Sequence, residues 1–175
     1  MDTAGKRRSK VLKMIEANDG ALSASSLAGA LGVSRQVIVG DVALLRAEGH
    51  QIMATARGYV METNAPKNQY RRKIACCHSP DETREELYLL VDRGVTVEDV
   101  MIEHDVYGEL IGSLGLSSRW DVDVFLTNLK QSGMGLLSEL TQGIHLHTIS
   151  CKSKEHFDEV MEAMAGAGFL VKQDE

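Results

Sequence analysis

The sequence contains little proline, little cysteine and no long apolar run, and each shortage excludes a class of protein. Two prolines and 16 glycines in 175 residues exclude collagen-like and proline-rich chains. No apolar stretch approaches the roughly 20 residues that a membrane-spanning helix needs. With 43% hydrophobic and 25% charged residues, the composition is that of a globular protein. The length allows one ordinary domain or two small ones.

The N-terminal residues and the cysteines both favour an intracellular protein. Lys6, Arg7 and Arg8 are followed by the mixed segment 11–16 rather than by the apolar core of a signal peptide. Three cysteines, an odd number, predict reduced thiols. We therefore expect a cytoplasmic protein that has no contact with a membrane.

Charge is distributed unevenly along the chain. Residues 1–72 carry a net charge of +5 and residues 73–175 a net charge of −11, which together give −6. A basic part joined to an acidic part suggests two roles, in which the basic part contacts a polyanion. A polar stretch with one of the two prolines predicts a linker over 64–70, between domains at 1–63 and 71–175.

The first 61 residues show three helical segments followed by two short strands. Ser23 and Ser34 are suited to cap the second and third helices, which are separated by a tight turn at Gly32. Segment 51–61 predicts the two strands, joined by a turn.

The third helix is expected to run to about Glu48, where Gly49 ends it. Its inward face is expected to use Val37, Leu44 and Leu45.

This order of elements, together with segments 27–38 and 41–49, resembles the winged helix-turn-helix family. In such a domain the third helix enters the major groove of DNA, and its first residues face the base edges. Arginine can pair with guanine and glutamine with adenine. The residues expected to contact DNA are Ser34, Arg35, Gln36, Val39 and, at the wing tip, Arg57. A small helical domain that binds protein is the alternative, and Arg57 can equally be a solvated turn residue.

Four basic residues near the N-terminus leave two interpretations open. Lys6, Arg7, Arg8 and Lys10 would neutralise DNA phosphates, or they form a frayed tail.

The second domain is predicted to be α+β, with helices against one face of a sheet. The expected strands are 69–77, 97–104, 143–150 and 168–172, and the expected helices are 79–93, 121–131 and 154–165.

Three histidines and one glutamate in this domain could hold a metal ion. His145 and His147 lie two residues apart on a predicted strand, so their imidazoles share one face. His78 precedes a helix on which Glu86 flanks the core face, while Glu85 points to solvent. Three imidazoles and one carboxylate suit zinc, nickel, iron or cobalt rather than magnesium or calcium. These residues alone do not decide between two interpretations, a metal site and an unrelated set of surface histidines.

The three cysteines show no pattern of a metal site. Cys76 and Cys77 point to opposite faces of a strand, and Cys151 has no partner at a suitable spacing. All three are predicted to be small hydrophobic residues.

Several segments resemble the three-histidine regulatory domain of the niacin-responsive repressors of NAD biosynthesis in bacteria. They are Cys77-His78-Ser79, Glu86, Val106–Leu110, Ser118-Arg119 and Leu140–Ile149. With the winged helix, the resemblance covers nearly the whole chain. It implies that the second domain is an open-faced β-sandwich like the histidine-containing phosphocarrier. Asp105 departs from the pattern, because a proline is expected there.

The resemblance also implies a function and a site. In that family the residues that match His78, Glu86, His145 and His147 bind a transition metal ion, which implies one nickel, zinc or iron ion per chain. It further implies that a homodimer binds double-stranded operator DNA and represses genes of NAD synthesis and niacin salvage, with nicotinic acid as co-repressor. Arg119 is a candidate to pair with the carboxylate of that ligand, and a surface salt bridge is the alternative.

Two other functions are weaker candidates. The metal itself could be the signal, or the chain could be a metal-dependent enzyme with Glu85 or Glu109 as a base. The sequence contains no Ser-His-Asp pattern, phosphate-binding glycine loop or nucleophile elbow, so we expect no enzymatic activity.

Overall fold

The computed structural model describes residues 3–62 and 69–172, and it divides the chain into two compact units. These units are Met1–Asn64 and Ala65–Glu175. Most of the expected linker, residues 64–68, lies outside the described residues, and Tyr70 already belongs to a strand. No single helix of the described residues is long and apolar enough to cross a membrane; two consecutive helices pass that test only as a pair bent by 106°.

The described residues of the first unit, 3–62, form three helices and a two-stranded antiparallel hairpin. The elements are α1 (Thr3–Glu16), α2 (Ala24–Leu31), α3 (Arg35–Ala47), β1 (Ile52–Thr55) and β2 (Gly58–Met61). Ser23 and Ser34 accept hydrogen bonds from backbone N–H groups of the helices that they cap, at 3.0 and 3.3 Å, as predicted. Gly32, with φ +65°, ends α2 in the left-handed conformation.

The inward face of α3 differs from the predicted one. Leu44 is 49% exposed and Val37 is half-buried. Leu45 is buried as predicted, and it shares one face of the helix with Ile38 and Val42, at spacings of four and three residues. The expectation that Leu44 and Val37 face the core is therefore wrong.

A buried ion pair between α1 and α3 explains the error. Asp41 lies on the inward face of α3 and accepts hydrogen bonds from Nε and Nη2 of Arg7 at 2.5 and 3.0 Å. Burial of an unpaired carboxylate is costly. The sequence of α3, considered without Arg7, therefore predicts that the helix face with Asp41 is exposed to solvent. The frayed-tail interpretation is also wrong for residues 3–16, because they are helical, and Arg7 is held by Asp41.

The tip of the hairpin approaches the start of α2 so closely that only glycine fits. Gly58 has φ +126°, and a Cβ at this position would lie 2.5 Å from the backbone carbonyl of Leu22. The neighbouring Tyr59 exchanges two backbone hydrogen bonds with Leu22, at 2.8 and 3.0 Å. Steric contact and backbone conformation therefore both exclude a side chain.

We expect Gly58→Ala to destabilise the hairpin by more than about 1 kcal/mol, because alanine is incompatible with the positive φ angle. Hydrogen exchange of the Leu22 and Tyr59 amides in the full chain measures this change. Gly29→Ala is the matched control: Gly29 lies in α2 with no atom near its Cβ position, so alanine should stabilise the helix by about 0.5–1 kcal/mol. Unchanged exchange in Gly58→Ala would contradict the predicted steric conflict.

Within residues 69–172, the second unit forms a four-stranded antiparallel sheet and three α-helices, and the chain is α+β as predicted. The elements are β3 (Tyr70–Cys77), α4 (Thr83–Asp92), β4 (Thr96–His104), β5 (Gly108–Leu116), α5 (Arg119–Ser132), β6 (Ile144–Cys151) and α6 (Lys154–Ala167), with short 3-10 turns at Pro80–Glu82 and Leu137–Thr141. The strand order is β3-β6-β4-β5, so β6 has a neighbour on each side.

Two parts of this sheet differ from the prediction. Strand β5 was not predicted, because Gly108, Gly112 and Gly115 weaken the strand pattern. The strand expected over 168–172 is absent from the described residues, where Leu170 forms only a single bridge to Cys76. This segment contributes too few backbone hydrogen bonds to form a fifth strand.

Candidate functional site

Glu86 is carried into the interior of the second unit by α4. The backbone N–H of Ser79 donates to Oε2 of Glu82 at 2.8 Å, which fixes the start of the helical segment by the predicted capping box. One turn further, Glu86 is completely buried while Glu85 is exposed, as the helical spacing predicts. A buried carboxylate needs polar partners, since burial without them is costly.

The sheet supplies these partners from two adjacent strands. His145 and His147 are both buried on β6, and alternation places them on one face. In the antiparallel register, Cys76 of β3 lies opposite His145, and Ile74 lies opposite His147. His78 directly follows β3 and is also buried.

The carboxylate of Glu86 lies between the three imidazoles. Nε2 of His78 is 2.7 Å from Oε2, while Nε2 of His145 and Nε2 of His147 are 3.3 and 3.5 Å from Oε1. The ring of His145 contacts the rings of both other histidines edge to face, with centroids 4.9 and 4.8 Å apart. We call these four residues the histidine–glutamate cluster.

The other ring nitrogen of each histidine contacts a backbone carbonyl. The Nδ1–O distances are 2.8 Å from His78 to Ser79, 2.8 Å from His145 to Gly143 and 2.6 Å from His147 to Asp99. Because a carbonyl only accepts, each Nδ1 carries a proton and donates it. Each Nε2 therefore points to the carboxylate, and this is the arrangement of histidines that bind a metal through Nε2.

Because each Nε2 faces the carboxylate while the proton is on Nδ1, these contacts are favourable only if a positive charge lies between the imidazoles and the carboxylate. Burial would lower the pKa of His78 and of His147, but the hydrogen bond and charge of Glu86 outweigh burial and raise both. Burial would raise the pKa of Glu86, but the charge of His147 and the imidazole hydrogen bonds hold it well below its usual range. Protons or a metal cation can supply that charge. Nε2 of His147 is buried and makes no well-formed hydrogen bond, since Oε1 of Glu86 is 3.5 Å away, and a cation between the two atoms would satisfy both.

A glycine permits the close approach of the loop before β6 to His78. Gly143 has φ +94°, and a Cβ there would lie 2.4 Å from the backbone oxygen of His78. A cleft of about 530 Å³ adjoins His78 at this point and is lined in part by Ser79, Glu139 and Gln142. The cleft borders His78, whose own side chain is almost completely buried.

Cys76 is buried, as expected for a small hydrophobic residue, but it also lies beside the histidine–glutamate cluster. Its side chain is completely buried, and its Sγ, one ring nitrogen of His145 and a carboxylate oxygen of Glu86 all lie within 4.8 Å of one another. Burial and the adjacent charge of Glu86 raise the pKa of the thiol. Strand alternation could have indicated this position, because Cys76 and His78 are separated by two residues, like His145 and His147.

Arg119 forms the surface salt bridge that was the alternative to a role in ligand binding. Its Nε and Nη2 donate to the two carboxylate oxygens of Asp92 at 2.7 and 2.5 Å, and its guanidinium lies 4.4 Å from the ring centroid of Tyr88. A carboxylate ligand would have to displace Asp92 from this guanidinium.

The residues expected to contact DNA lie on α3 and on the hairpin turn. Arg35 and Gln36 are exposed in the first turn of α3, directly after the capping residue Ser34. Arg57 is exposed at the turn between β1 and β2. Val39 is half-buried and packs against the core, which leaves it less surface for DNA than the other four.

Comparison with known proteins gives the same two-part division. Residues 7–60 match the HTH domain and residues 71–173 match the 3H domain. The chain is 42% identical to the transcription repressor NadR of Bacillus subtilis over 95% of this chain and 93% of the relative. It is 37% identical to the probable transcription repressor NiaR of Thermotoga maritima over 99% and 98% of the two chains. The chain therefore belongs to the family of transcription repressors that join an HTH domain to a 3H domain, and it is a regulator rather than an enzyme.

Proposed function

We propose that the protein represses bacterial genes of NAD biosynthesis and niacin salvage in the cytoplasm. In this proposal nicotinic acid is the co-repressor, and each chain holds one divalent transition metal ion, nickel, zinc or iron. Membership of the repressor family supports the DNA-binding role. The histidine–glutamate cluster supports the metal, and the cleft beside His78 supports a small ligand.

The convergence of three Nε2 atoms on one buried carboxylate carries the metal proposal. Each imidazole is fixed by a backbone carbonyl at Nδ1, so the Nε2 donors are oriented before an ion binds. Imidazole and carboxylate donors suit nickel, zinc and iron. We propose His78, Glu86, His145 and His147 as the ligands.

The cleft beside His78 is the place that we propose for nicotinic acid. Its volume of about 530 Å³ is ample for one pyridine ring, and it borders the cluster rather than the distant surface of the unit. When bound, the ion would offer a coordination position to a carboxylate or pyridine nitrogen of the ligand. Arg119 remains a weaker prediction for a ligand contact, since Asp92 occupies its guanidinium.

The winged helix would bind operator DNA as part of a homodimer. One recognition helix reads only a short half-site, and repressors with this motif place two such helices in successive major grooves. We propose Arg35 and Gln36 for base contacts, Ser34 and Arg57 for phosphate or minor-groove contacts, and Val39 for a thymine methyl group. Ligand binding can control repression only if the ligand binds more tightly when the recognition helices of the two subunits have one particular spacing.

Operator binding under three conditions tests this function. The protein is titrated onto promoter DNA of NAD-synthesis genes alone, with nicotinic acid, and with nicotinic acid after chelation of metal. We expect nicotinic acid to increase the affinity and chelation to abolish that increase. Affinity that follows metal but ignores nicotinic acid would favour a metal sensor, and specific binding under none of these conditions would contradict the proposal.

A further inference from the structure

A fifth side chain with a metal-binding atom lies beside the histidine–glutamate cluster. Sγ of Cys76, a carboxylate oxygen of Glu86 and a ring nitrogen of His145 lie within 4.8 Å of one another, and all three residues are buried. Zinc–sulfur and zinc–nitrogen bonds of about 2.3 and 2.1 Å allow two donors on one ion to be up to about 4.4 Å apart. Small side-chain movements would therefore bring Cys76 onto the same ion.

The backbone fixes Cys76 in this position. It lies directly opposite His145 in the β3–β6 register and points to the same face of the sheet. Its neighbour Cys77 is half-buried and alternates to the other face. The position of the thiol beside the imidazoles thus follows from strand pairing, not from a flexible loop.

A second observation independently points to a cation at this place. Nε2 of His147 is buried and makes no well-formed hydrogen bond, since Oε1 of Glu86 is 3.5 Å away, and its Nδ1 is already held by the carbonyl of Asp99. Among the described residues, only one other buried side-chain N or O atom, Oγ1 of Thr83, also makes no hydrogen bond. A cation between the imidazole nitrogen and the buried carboxylate would satisfy both groups.

We propose that Cys76 is a further ligand to the metal, bound as the thiolate beside the three imidazoles and Glu86. This inference rests on the proposed function, in which the cluster holds a divalent ion. As the metal–sulfur bond forms, the thiol proton passes to solvent, so one proton is released per chain from this residue. The sulfur donor would favour zinc, cobalt and nickel over manganese and magnesium.

The alternative is that Cys76 only donates a weak hydrogen bond to Glu86. In that role the thiol would orient the carboxylate, and no sulfur atom would lie within bonding distance of the metal. The two roles differ in a spectroscopic signal that does not depend on DNA binding.

X-ray absorption spectroscopy of the zinc-loaded full chain tests the proposal without any substitution. We expect a sulfur scatterer at about 2.3 Å in addition to nitrogen and oxygen scatterers at about 2.0–2.2 Å. A zinc shell of nitrogen and oxygen alone would overturn the role of Cys76 and leave the metal site intact. Failure of the parent chain to bind zinc, nickel or iron would overturn both this inference and the metal in the proposed function.

Variants loaded with cobalt(II) give a second, independent readout. The parent is expected to show a thiolate-to-cobalt charge-transfer band in the near ultraviolet, and Cys76→Ser is expected to lose it. Loss of a residue that only supports a metal ligand lowers metal affinity by roughly 10–100-fold. We expect Cys76→Ser to lower the affinity for zinc by at least this factor. Cys151→Ser is the matched control: Cys151 lies on the same face of β6, four residues beyond His147, and its Sγ contacts carbonyl groups that serine can also reach. Retention of the band in Cys76→Ser would overturn the proposal.

Discussion

Replacement of Glu86 by glutamine is expected to abolish stoichiometric metal binding. The substitution keeps the size of the side chain but removes the negative charge on which three Nε2 atoms converge. Because loss of an outer-shell partner alone costs about 10–100-fold in affinity, loss of this central ligand should weaken binding by at least about 100-fold. Isothermal titration with zinc or nickel, together with elemental analysis of the purified chain, measures the effect.

The same variant should lose stabilisation by metal. An ion present at 100 times its dissociation constant stabilises the folded state by about 2.7 kcal/mol, so the parent should melt at a higher temperature with metal than without it. Glu86→Gln should show no such difference under the same conditions. Glu85→Gln is the matched control, because it removes the same charge from the adjacent, exposed position. One ion per chain bound by Glu86→Gln with parental affinity would exclude Glu86 as a ligand.

Replacement of Arg35 by alanine should weaken binding to the specific operator by about 1–3 kcal/mol, which corresponds to the value of one bidentate base contact. Arg35 is exposed in the first turn of α3, where a recognition helix faces the base edges. Fluorescence anisotropy with operator and unrelated DNA, at two or more salt concentrations, measures the change.

The comparison between the two DNAs separates base recognition from attraction to phosphate. A base contact predicts a loss confined to the operator, whereas a phosphate contact predicts a uniform loss and a smaller salt dependence. Arg46→Ala is the matched control, since Arg46 is exposed in the last turn of the same helix. Equal operator affinity of Arg35→Ala and the parent would refute the predicted role of Arg35.

Local patterns in the sequence were sufficient to predict several parts of the structure. Ser34 predicted the start of α3, because its hydroxyl satisfies a backbone N–H that the helix leaves unpaired. The alternation of a strand predicted that His145 and His147 share a face, and the 100° rotation per helical residue separated Glu86 from Glu85. These predictions depend only on the geometry within one element.

Features that depend on distant residues could not be predicted in this way. The face of α3 was wrong because Asp41 is buried only through its ion pair with Arg7, 34 residues away. The sequence pattern around Cys76 shows only that Cys77 points to the opposite face, whereas its neighbours Glu86 and His145 come from α4 and from another strand. Strand β5 was missed because its pairing with β4 compensates for three glycines that weaken the local pattern.

Anomalous X-ray diffraction at the absorption edge of the bound metal would show which residues hold the ion. Crystals of the full chain, grown with nickel or zinc, locate the ion without any assumption about its ligands. We expect one anomalous peak per chain, about 2.0–2.1 Å from Nε2 of His78, His145 and His147, and next to the carboxylate of Glu86. A cluster without a peak at saturating metal, or an ion bound elsewhere in the chain, would contradict this expectation.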